Sequence, residues 1–348
     1  MKNKPDLREI EVIAPNLKRR LSGVTATIAR LVPVQVGMIN VVATGPGLPE
    51  DMPHIPLWRA MTLPNNRWRV WHARRNNEML LGLIARHILR RKFRLVFTSA
   101  SQRHHTRYTK FLISRMDRVI STSARTAAYL ERPSDVILHG IDTSGFNPAR
   151  DRDALRKSLG LPGGMIIGCF GRIRAQKGTD VFVRAMLPIL KKRPDVTALV
   201  LGRATEQHQA FQRELEALVA EHGLKDRVMF PGEVPVEQIA GWYQALDLYV
   251  APQRWEGFGL TPIEAMACGV PVVATRVGAF EEQIVEGETG FLIDPGIVEQ
   301  METAIETFLD DRALLVGSGK NARAHVLSNF QIQREAAEIV DVYRALLR

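Results

Sequence analysis

Two glutamates eight positions apart, Glu256 and Glu264, enclose a stretch whose residue types could hold a ligand. Two glycines lie between them, and glycine allows a backbone to approach a bound molecule closely. Thr261 is a good N-cap, and we expect a short helix over 262–268 behind it. Amide groups at a helix start attract anions, and carboxylates accept hydrogen bonds from sugar hydroxyls. The pattern therefore predicts a site for a nucleotide diphosphate that carries a sugar.

The same spacing also has a purely structural interpretation. Thr261 and Glu264 match a capping box, in which the glutamate only satisfies the start of the helix. Glu256 would then be an ordinary loop carboxylate. Spacing alone leaves both interpretations open, and a second element upstream favours the ligand site.

This second element is the loop over 171–178, which begins and ends with glycine and carries Arg172 and Lys177. It lies between an apolar run over 165–170, predicted as a buried parallel strand, and a predicted helix over 179–192. Ligands of open parallel sheets bind just beyond the carboxyl ends of the strands. Two cations at that place can bind a pyrophosphate and stabilise it as it leaves. The alternative is that both cations simply face water.

With these two loops the chain resembles the family 4 retaining glycosyltransferases. Their fold, GT-B, is an α/β fold with two facing Rossmann-like domains and a donor/acceptor cleft between them. The resemblance also rests on the sequence His139-Gly-Ile-Asp142 followed by Phe146-x-Pro148, which closes the N-terminal domain in that family. It covers the C-terminal half strongly and the N-terminal half more loosely. A narrower resemblance, over 71–75 and 97–105, is to mannosyltransferases that build bacterial lipopolysaccharide cores.

The resemblance implies transfer of a hexose, expected to be mannose from GDP-mannose, to an acidic lipid-linked saccharide such as a lipopolysaccharide core. Retention in the family is usually explained by attack on the face from which the diphosphate leaves. Arg172 and Lys177 would bind and stabilise the leaving diphosphate. Glu264 would accept hydrogen bonds from ribose hydroxyls, and Glu256 would hold the transferred sugar. The other expected donor contacts are Gly23, Gly171, Phe258, Gly259 and Leu260.

No metal and no other cofactor is expected. The resemblance implies that Arg172 and Lys177 supply the charge neutralisation that Mg²⁺ supplies elsewhere. Asp151 and Asp153 form a D-x-D sequence, which is a metal motif in the other large glycosyltransferase fold. Here the two residues precede an apolar–basic run and are predicted to form the acidic first turn of a helix.

Several side chains that follow predicted strands of the N-terminal half are candidates for acceptor binding or acid–base chemistry: His72, Arg75, Arg103, His104 and His105. Family members commonly carry a histidine directly after the strand predicted here over 94–98. This chain has Ser99 and Ala100 there, which leaves the acid–base role unassigned. Near the N-terminus, Ser22 and Gly23 could touch the donor phosphate, or could form a plain loop between a strand and a helix.

The positive charge of the chain is unevenly distributed. The net charge is +10, but residues 1–150 carry 25 Lys and Arg against 10 Asp and Glu, whereas residues 151–348 carry 22 against 27. The first part is therefore +15 and the second −5. The excess predicts contact with an anionic acceptor and an anionic membrane surface, with the basic end of a predicted helix over 77–91 as one candidate. Two isolated cysteines and a polar start predict a cytoplasmic protein at the inner face of the cytoplasmic membrane.

Alternation of strands and helices predicts parallel sheets in both halves. We expect an N-terminal acceptor-side domain over 1–155, a donor domain over 156–328, and a final helix over 329–348 that packs back on the first domain. Predicted strands are 10–14, 34–42, 69–72, 94–98, 118–121, 135–139, 165–170, 197–201, 228–230, 246–251, 272–274 and 290–293.

Other functions remain open. A glycosyltransferase with a UDP-sugar donor would use the same loops, and so would a nucleotide-sugar epimerase. A dehydrogenase is disfavoured because no G-x-G-x-x-G follows an early strand. A basic nucleic-acid-binding protein would explain the charge, but no matching signature is present and nucleic acid is not an expected partner.

Overall fold

The computed structural model describes residues 6–19 and 23–348. Its contacts divide the chain into two compact units. The first unit consists of Met1–Gly140 together with Ile332–Arg348, and the second is Ile141–Gln331. Each unit is built around a parallel sheet.

The described part of the first unit contains a seven-stranded sheet in the order β3-β2-β1-β4-β5-β6-β7, with every pair parallel. Its strands are β1 Val12–Pro15, β2 Val41–Thr44, β3 His54–Ile55, β4 Arg69–Ala73, β5 Phe93–Ser99, β6 Arg118–Ser121 and β7 Asp135–Val136. Its first helices are α1 Gly23–Gln35, α2 Leu57–Met61, α3 Asn76–His87, α4 Arg107–Ser114 and α5 Ala124–Ala127.

The second unit contains a six-stranded parallel sheet in the order β10-β9-β8-β11-β12-β13. Its strands are β8 Met165–Phe170, β9 Val196–Leu201, β10 Val228–Gly232, β11 Leu248–Ala251, β12 Val272–Thr275 and β13 Gly290–Ile293. Its helices are α6 Arg152–Ser158, α7 Thr179–Lys192, α8 Gln209–Glu221, α9 Ile239–Gln244, α10 Thr261–Ala267, α11 Phe280–Gln283, α12 Val298–Asp310 and α13 Arg312–Asn329. Both faces of β8, β9, β11 and β12 are buried, which explains their unbroken apolar runs.

The sequence prediction of elements is accurate in the second unit and less so in the first. The predicted strand over 34–42 is wrong, because α1 continues to Gln35 and β2 begins only at Val41. The predicted helix over 77–91 ends early, at His87, and Arg90 has a left-handed backbone with φ of 50°. Asp153 lies in the first turn of α6 as predicted, whereas Asp151 is the N-cap, with its carboxylate accepting a hydrogen bond from the Ala154 amide at 2.9 Å.

The chain leaves the first unit at Gly140, earlier than the predicted boundary at 155. The segment after Gly140 packs with the second unit, which accounts for the difference. The amide of Ile141 donates to the carbonyl of Phe330 at 2.8 Å, and Arg323 donates to the carbonyls of Thr143 and Phe146.

The last helix, α14 (Ile332–Leu347), packs on α1 and β4 of the first unit. Glu335 anchors it: one carboxylate oxygen accepts from Nδ1 of His139 at 2.6 Å, and the other accepts from the Gly140 amide at 2.8 Å. Burial alone would raise the pKa of Glu335, but His139, Arg30 and the Gly140 amide outweigh it and hold the pKa below its ordinary value. The carboxylate of Glu335 is therefore ionised although it is buried.

Replacing Glu335 by glutamine should destabilise the first unit in a pH-dependent way. At pH 7 we expect a loss of about 2–4 kcal/mol, because the hydrogen bonds of His139 and the Gly140 amide to a buried charged carboxylate are lost. A carboxylate with a lowered folded pKa stabilises the fold above its unfolded pKa and loses that effect as the pH falls through the folded pKa. In denaturant unfolding, the free energy of unfolding of the wild type should therefore exceed that of Glu335→Gln at pH 7. The difference should shrink below about pH 4.5.

Glu338→Gln is the matched control, since Glu338 lies on the same helix and pairs with Arg334 at 2.8 Å with 42% of its side chain exposed. That substitution should cost less than about 1 kcal/mol. Equal effects of the two substitutions would contradict the anchoring role of Glu335.

Among the described residues, no helix is both long enough and apolar enough to span a membrane.

Candidate active site

Two loops of the second unit leave neighbouring strands at the same edge of the sheet. One covers 171–178 after β8, and the other covers 252–260 after β11. Their backbones touch: a Cβ on Gly178, whose φ is 71°, would lie 1.8 Å from the carbonyl oxygen of Pro252. Only glycine fits at this crossing. The two predicted ligand loops are therefore brought together.

Lys177 and Glu256 meet between these loops. The Nζ of Lys177 donates to a carboxylate oxygen of Glu256 at 2.5 Å, and the other oxygen accepts from the Gly257 amide at 2.9 Å. Both side chains remain partly exposed, at 22% and 18%. Arg172 lies in the first loop and is exposed. The site thus presents one ammonium group already oriented by a carboxylate and one guanidinium group open to solvent.

Glu264 lies on α10, one turn after the second loop. Its carboxylate accepts a hydrogen bond from the hydroxyl of Tyr243 at 3.0 Å. Burial, followed by the charge of Glu264, raises the pKa of Tyr243 well above its ordinary value, so the phenol stays a neutral donor. The carboxylate is partly exposed and can accept further hydrogen bonds.

The predicted N-cap at Thr261 is wrong. Helix α10 begins at Thr261 itself, and the capping position belongs to Leu260, whose side chain makes no capping hydrogen bond. The reason lies in the preceding residue: Gly259 has φ of 81°, and this left-handed turn leaves Leu260 already in helical backbone. A Cβ on Gly259 would lie 2.3 Å from the ring of Phe280, so the turn also requires glycine.

Neighbouring side chains hold the turn at Gly259 in place. The side-chain amide of Gln283 donates to the carbonyl of Gly259 at 2.8 Å, and Phe258 is buried. Gly171, at the start of the first loop, has φ of 139° and open space around its Cβ position. The predicted donor contacts Gly171, Phe258, Gly259 and Leu260 therefore all lie at the edge where Lys177 and Glu256 meet.

The predicted site residues of the first unit differ from one another in burial and in hydrogen-bond partners. His72 is fully buried on β4, with Nδ1 at 2.5 Å from the hydroxyl of Tyr343 and Nε2 at 2.6 Å from the hydroxyl of Thr98. Burial, with the charge of Arg74, lowers the pKa of His72 well below its usual value. Both ring nitrogens are thus occupied within the protein, which favours a positioning role over proton transfer to a substrate.

Arg75 is held in a polar network at the end of β1. It donates to Oδ1 of Asn16 at 2.7 Å, to the buried carboxylate of Glu78 at 2.6 Å, and to the hydroxyl of Thr25 at 3.1 Å. Gly23 is the first residue of α1 and has open space at its Cβ position. Ser22, which was predicted to touch the donor phosphate, lies outside the described residues.

Arg103 and His104 are exposed after β5, and His105 is partly buried. The Nε2 of His105 lies 3.5 Å from the hydroxyl of Ser99, at the end of β5. Burial, then Arg103, Lys110 and His104, lower the pKa of His105. His105 therefore combines a lowered pKa with partial accessibility beside a strand end.

The described residues contain no group of three or more His, Cys, Asp or Glu side chains that could together hold a metal ion. The expectation of a metal-free site stays a prediction.

Comparison with known proteins decides the family. The profile described as Glycosyl transferases group 1 matches residues 151–325, half of the chain. The lipopolysaccharide core biosynthesis mannosyltransferase LpsB of Rhizobium meliloti (strain 1021) is 54% identical over 99% of both chains. LpcC of Rhizobium leguminosarum bv. viciae, of the same description, is 51% identical over 99% of this chain and 98% of its own.

The chain belongs to the group 1 glycosyltransferases.

The fold agrees with this assignment. The crystal structure of Anabaena Alr3699/HepE in complex with UDP superposes with a TM-score of 0.84 at 22% identity, covering 97% of this chain and all of HepE. The predicted GT-B fold is confirmed, as are the family and the assignment as an enzyme.

Two features of the candidate site could not be predicted from the sequence. One is Tyr243, which comes from α9 and orients Glu264. The other is Arg254, which binds both carboxylate oxygens of Asp180 at 2.7 and 2.8 Å, while its amide donates to the carbonyl of Gln176 at 2.9 Å. The hydrogen bonds to Asp180 raise the pKa of Arg254. Arg254 thus ties the second loop to the first loop and to the start of α7.

The arrangement suits group transfer from an anionic leaving group. A cation in a partly enclosed site stabilises charge that develops as a bond breaks. Lys177 lies in such a partly enclosed place, paired with Glu256. The two glutamates offer carboxylate oxygens, which accept hydrogen bonds from hydroxyls but do not coordinate phosphate.

Proposed function

We propose that the chain is a retaining mannosyltransferase that moves mannose from GDP-mannose to an acidic lipid-linked saccharide of the lipopolysaccharide core. The observation that carries the proposal is the near full-length similarity to LpsB, which is 54% identical. The contact of Lys177 with Glu256, and the position of Glu264 on the helix that follows the same loop, support it, since they supply a cation and two hydroxyl acceptors at one sheet edge.

Each donor-site residue then has one role. Lys177 and Arg172 bind the diphosphate and stabilise the charge that it gains on leaving. Glu264, oriented by Tyr243, accepts hydrogen bonds from ribose hydroxyls, and Glu256 accepts hydrogen bonds from the transferred sugar. The backbone at Gly171 and from Phe258 to Leu260 lines the phosphates.

The transfer itself exchanges one bond at the anomeric carbon for another. An acceptor hydroxyl attacks that carbon from the face that the diphosphate leaves, the carbon–oxygen bond to the diphosphate breaks, and the acceptor proton passes to the departing diphosphate. This course retains the configuration and needs no covalent carboxylate. We propose that Lys177 and Arg172 neutralise the diphosphate without a divalent metal.

A UDP-sugar donor is the second candidate. HepE, which has the same fold, was crystallised with UDP and with UDP-glucose. The residues proposed to contact phosphate and ribose do not discriminate between the two bases, so the loops fit either nucleotide.

Thermal unfolding with each donor distinguishes the candidates. A ligand that binds only the folded state raises the apparent stability by roughly 2.7 kcal/mol at a hundredfold excess over its dissociation constant. We expect GDP-mannose to raise the unfolding midpoint, and UDP-glucose, UDP-GlcNAc and NAD to leave it unchanged. A higher unfolding midpoint with a UDP-sugar alone would mean that the donor is a UDP-sugar and not GDP-mannose. A higher midpoint with NAD alone would contradict a transferase function.

We further propose that the enzyme binds an anionic membrane surface through the first unit. Segments that precede β4 and β5 lie at the amino-end edge of the sheet and expose apolar side chains: Trp68 at 41%, Ile88 at 71% and Leu89 at 50%. Cations surround them, and the guanidinium of Arg94 lies 4.3 Å from the ring centre of Trp68. We call Trp68 with residues 88–94 the amino-end patch. Aromatic and aliphatic side chains among cations are typical of interfacial membrane contact.

The double substitution Ile88→Ser/Leu89→Ser should release the protein from vesicles. We expect roughly a tenfold or greater fall in the partition coefficient, because two exposed apolar side chains no longer enter the membrane. Co-sedimentation with vesicles that contain phosphatidylglycerol measures it. The matched control is Val236→Ser in the second unit, where Val236 is 76% exposed. Equal binding of the double variant and the wild type would contradict the patch.

A further inference from the structure

A cavity lies in the second unit, away from the donor loops. Its volume is about 420 Å³, and Asp247 and Pro271, which line it, directly precede β11 and β12. It therefore opens at the amino-end edge of the sheet, whereas the donor loops follow the carboxyl ends. Five residue steps along β11 separate the two edges, or about 16 Å.

One face of α13 supplies half of the residues that line the cavity. Arg312, Leu315, Val316, Gly319, Lys320 and Arg323 all line the cavity, and their spacing of three and four residues places them on one side of the helix. The opposite wall is the turn after α10. A Cβ on Gly319 would lie 2.4 Å from the carbonyl oxygen of Gly269, so the helix and the turn are in close backbone contact.

Cations outnumber carboxylates in this wall. The cavity is lined by Arg152, Arg312, Lys320 and Arg323 against one carboxylate, Asp247. That carboxylate is already satisfied, since it pairs with Arg152 at 3.0 Å and with Arg156 at 2.6 Å and accepts from the Ile166 amide. The concentration of positive charge is local, because residues 151–348 as a whole carry a net charge of −5.

Three of the cations have no anionic partner among the described residues. Arg323 donates only to the neutral carbonyls of Thr143, Phe146 and Ala267, and burial lowers its pKa. Arg312 and Lys320 form no ion pair within the described part of the chain. Arg312 is moreover the first residue of α13, where the helix dipole disfavours a positive charge.

We propose that this cavity binds the phosphate group of a small metabolite, at a site separate from the nucleotide-sugar loops. Guanidinium groups match the geometry of a phosphate, and an anion would offset three cations that the fold leaves without a counter-charge. The cavity is larger than a phosphate ion requires, and its apolar side at Leu315 and Val316 leaves room for the remainder of the molecule.

Calorimetric titration with inorganic phosphate, against chloride at equal ionic strength, tests the proposal. The double variant Arg312→Ala/Lys320→Ala should weaken phosphate binding by about tenfold or more. The control Arg184→Ala/Lys191→Ala removes two exposed cations from α7 and should leave binding unchanged. Thermal unfolding without phosphate shows whether each variant is folded.

A third variant, Lys177→Met, separates this site from the donor site. Phosphate binding that survives in Lys177→Met but weakens in Arg312→Ala/Lys320→Ala is the expected result. Binding that is lost in Lys177→Met, or that is unchanged in Arg312→Ala/Lys320→Ala, would overturn the proposal. The inference does not depend on the donor assignment, so its failure would leave the transferase function in place.

Discussion

Replacing Lys177 by methionine is expected to lower kcat by about 10²–10³, which is the cost of removing one group that stabilises developing charge in a transition state. Methionine keeps the length of the side chain and removes the ammonium group that lies 2.5 Å from Glu256. The diphosphate would then leave with less neutralisation, so the rate should fall more than donor binding. Steady-state kinetics with saturating acceptor measures both.

Two controls isolate the effect of Lys177. Lys191→Met removes an exposed lysine at the end of α7 and should leave kcat unchanged. Lys177→Met/Glu256→Gln removes the carboxylate that the single variant leaves without its lysine. Recovery of most of the rate in the double variant would mean that repulsion by Glu256, rather than loss of the cation, caused the defect.

The effect of EDTA on the kcat of the wild type tests the metal-free mechanism. We expect EDTA to leave kcat unchanged, because the two cations carry out the neutralisation. A rate that collapses in EDTA and returns with Mg²⁺ would contradict that assignment.

Replacing Glu264 by glutamine is expected to weaken donor binding by roughly 10- to 150-fold, which corresponds to about 1.5–3 kcal/mol for hydrogen bonds to a charged group. Glutamine retains an oxygen that can accept from Tyr243, whereas the charged acceptor for ribose hydroxyls is lost. The KM for the donor should rise while kcat changes less, as expected for an interaction made equally in the ground and transition states.

The structural alternative for Glu264 makes a different prediction. If the residue only stabilises the start of α10, the variant should lower the unfolding midpoint without ligand and leave the donor KM unchanged. Glu281→Gln, on the nearby short helix α11, is a control for the loss of one negative charge. A donor KM equal to that of the wild type in Glu264→Gln would contradict its proposed role.

The sheets of this protein could be predicted where strands are buried on both faces. Strand β8 and helix α7 match their predicted bounds, because a buried parallel strand is an unbroken apolar run and a surface helix is periodic. The run over 34–42 misled the prediction, since its apolar residues suggest a strand. Tertiary packing decides otherwise: α1 buries Leu31, Val32 and Gln35 and packs against α14, which lies about 300 residues further along the chain.

The meeting of the two candidate donor loops could be predicted from the sequence, whereas the side chains that support them could not. Lys177 and Glu256 follow strands whose neighbouring positions can be inferred from the strand pattern. Tyr243 could not be found, because nothing in the spacing of 21 residues links it to Glu264. The same holds for Arg254 and Asp180, which are 74 residues apart. The burial of His72 could not be predicted either. A strand end that faces a ligand has the same sequence pattern as one that faces the protein interior.

The most direct test of the central claim is transfer itself. The purified chain, incubated with a core-truncated lipopolysaccharide and with GDP-mannose, UDP-glucose or UDP-GlcNAc in separate reactions, can be followed by mass spectrometry of the acceptor, with NMR of the new linkage. The account predicts addition of one hexose from GDP-mannose only, with the anomeric configuration of the donor retained. Transfer from a UDP-sugar but not from GDP-mannose, or a product of inverted configuration, would contradict it.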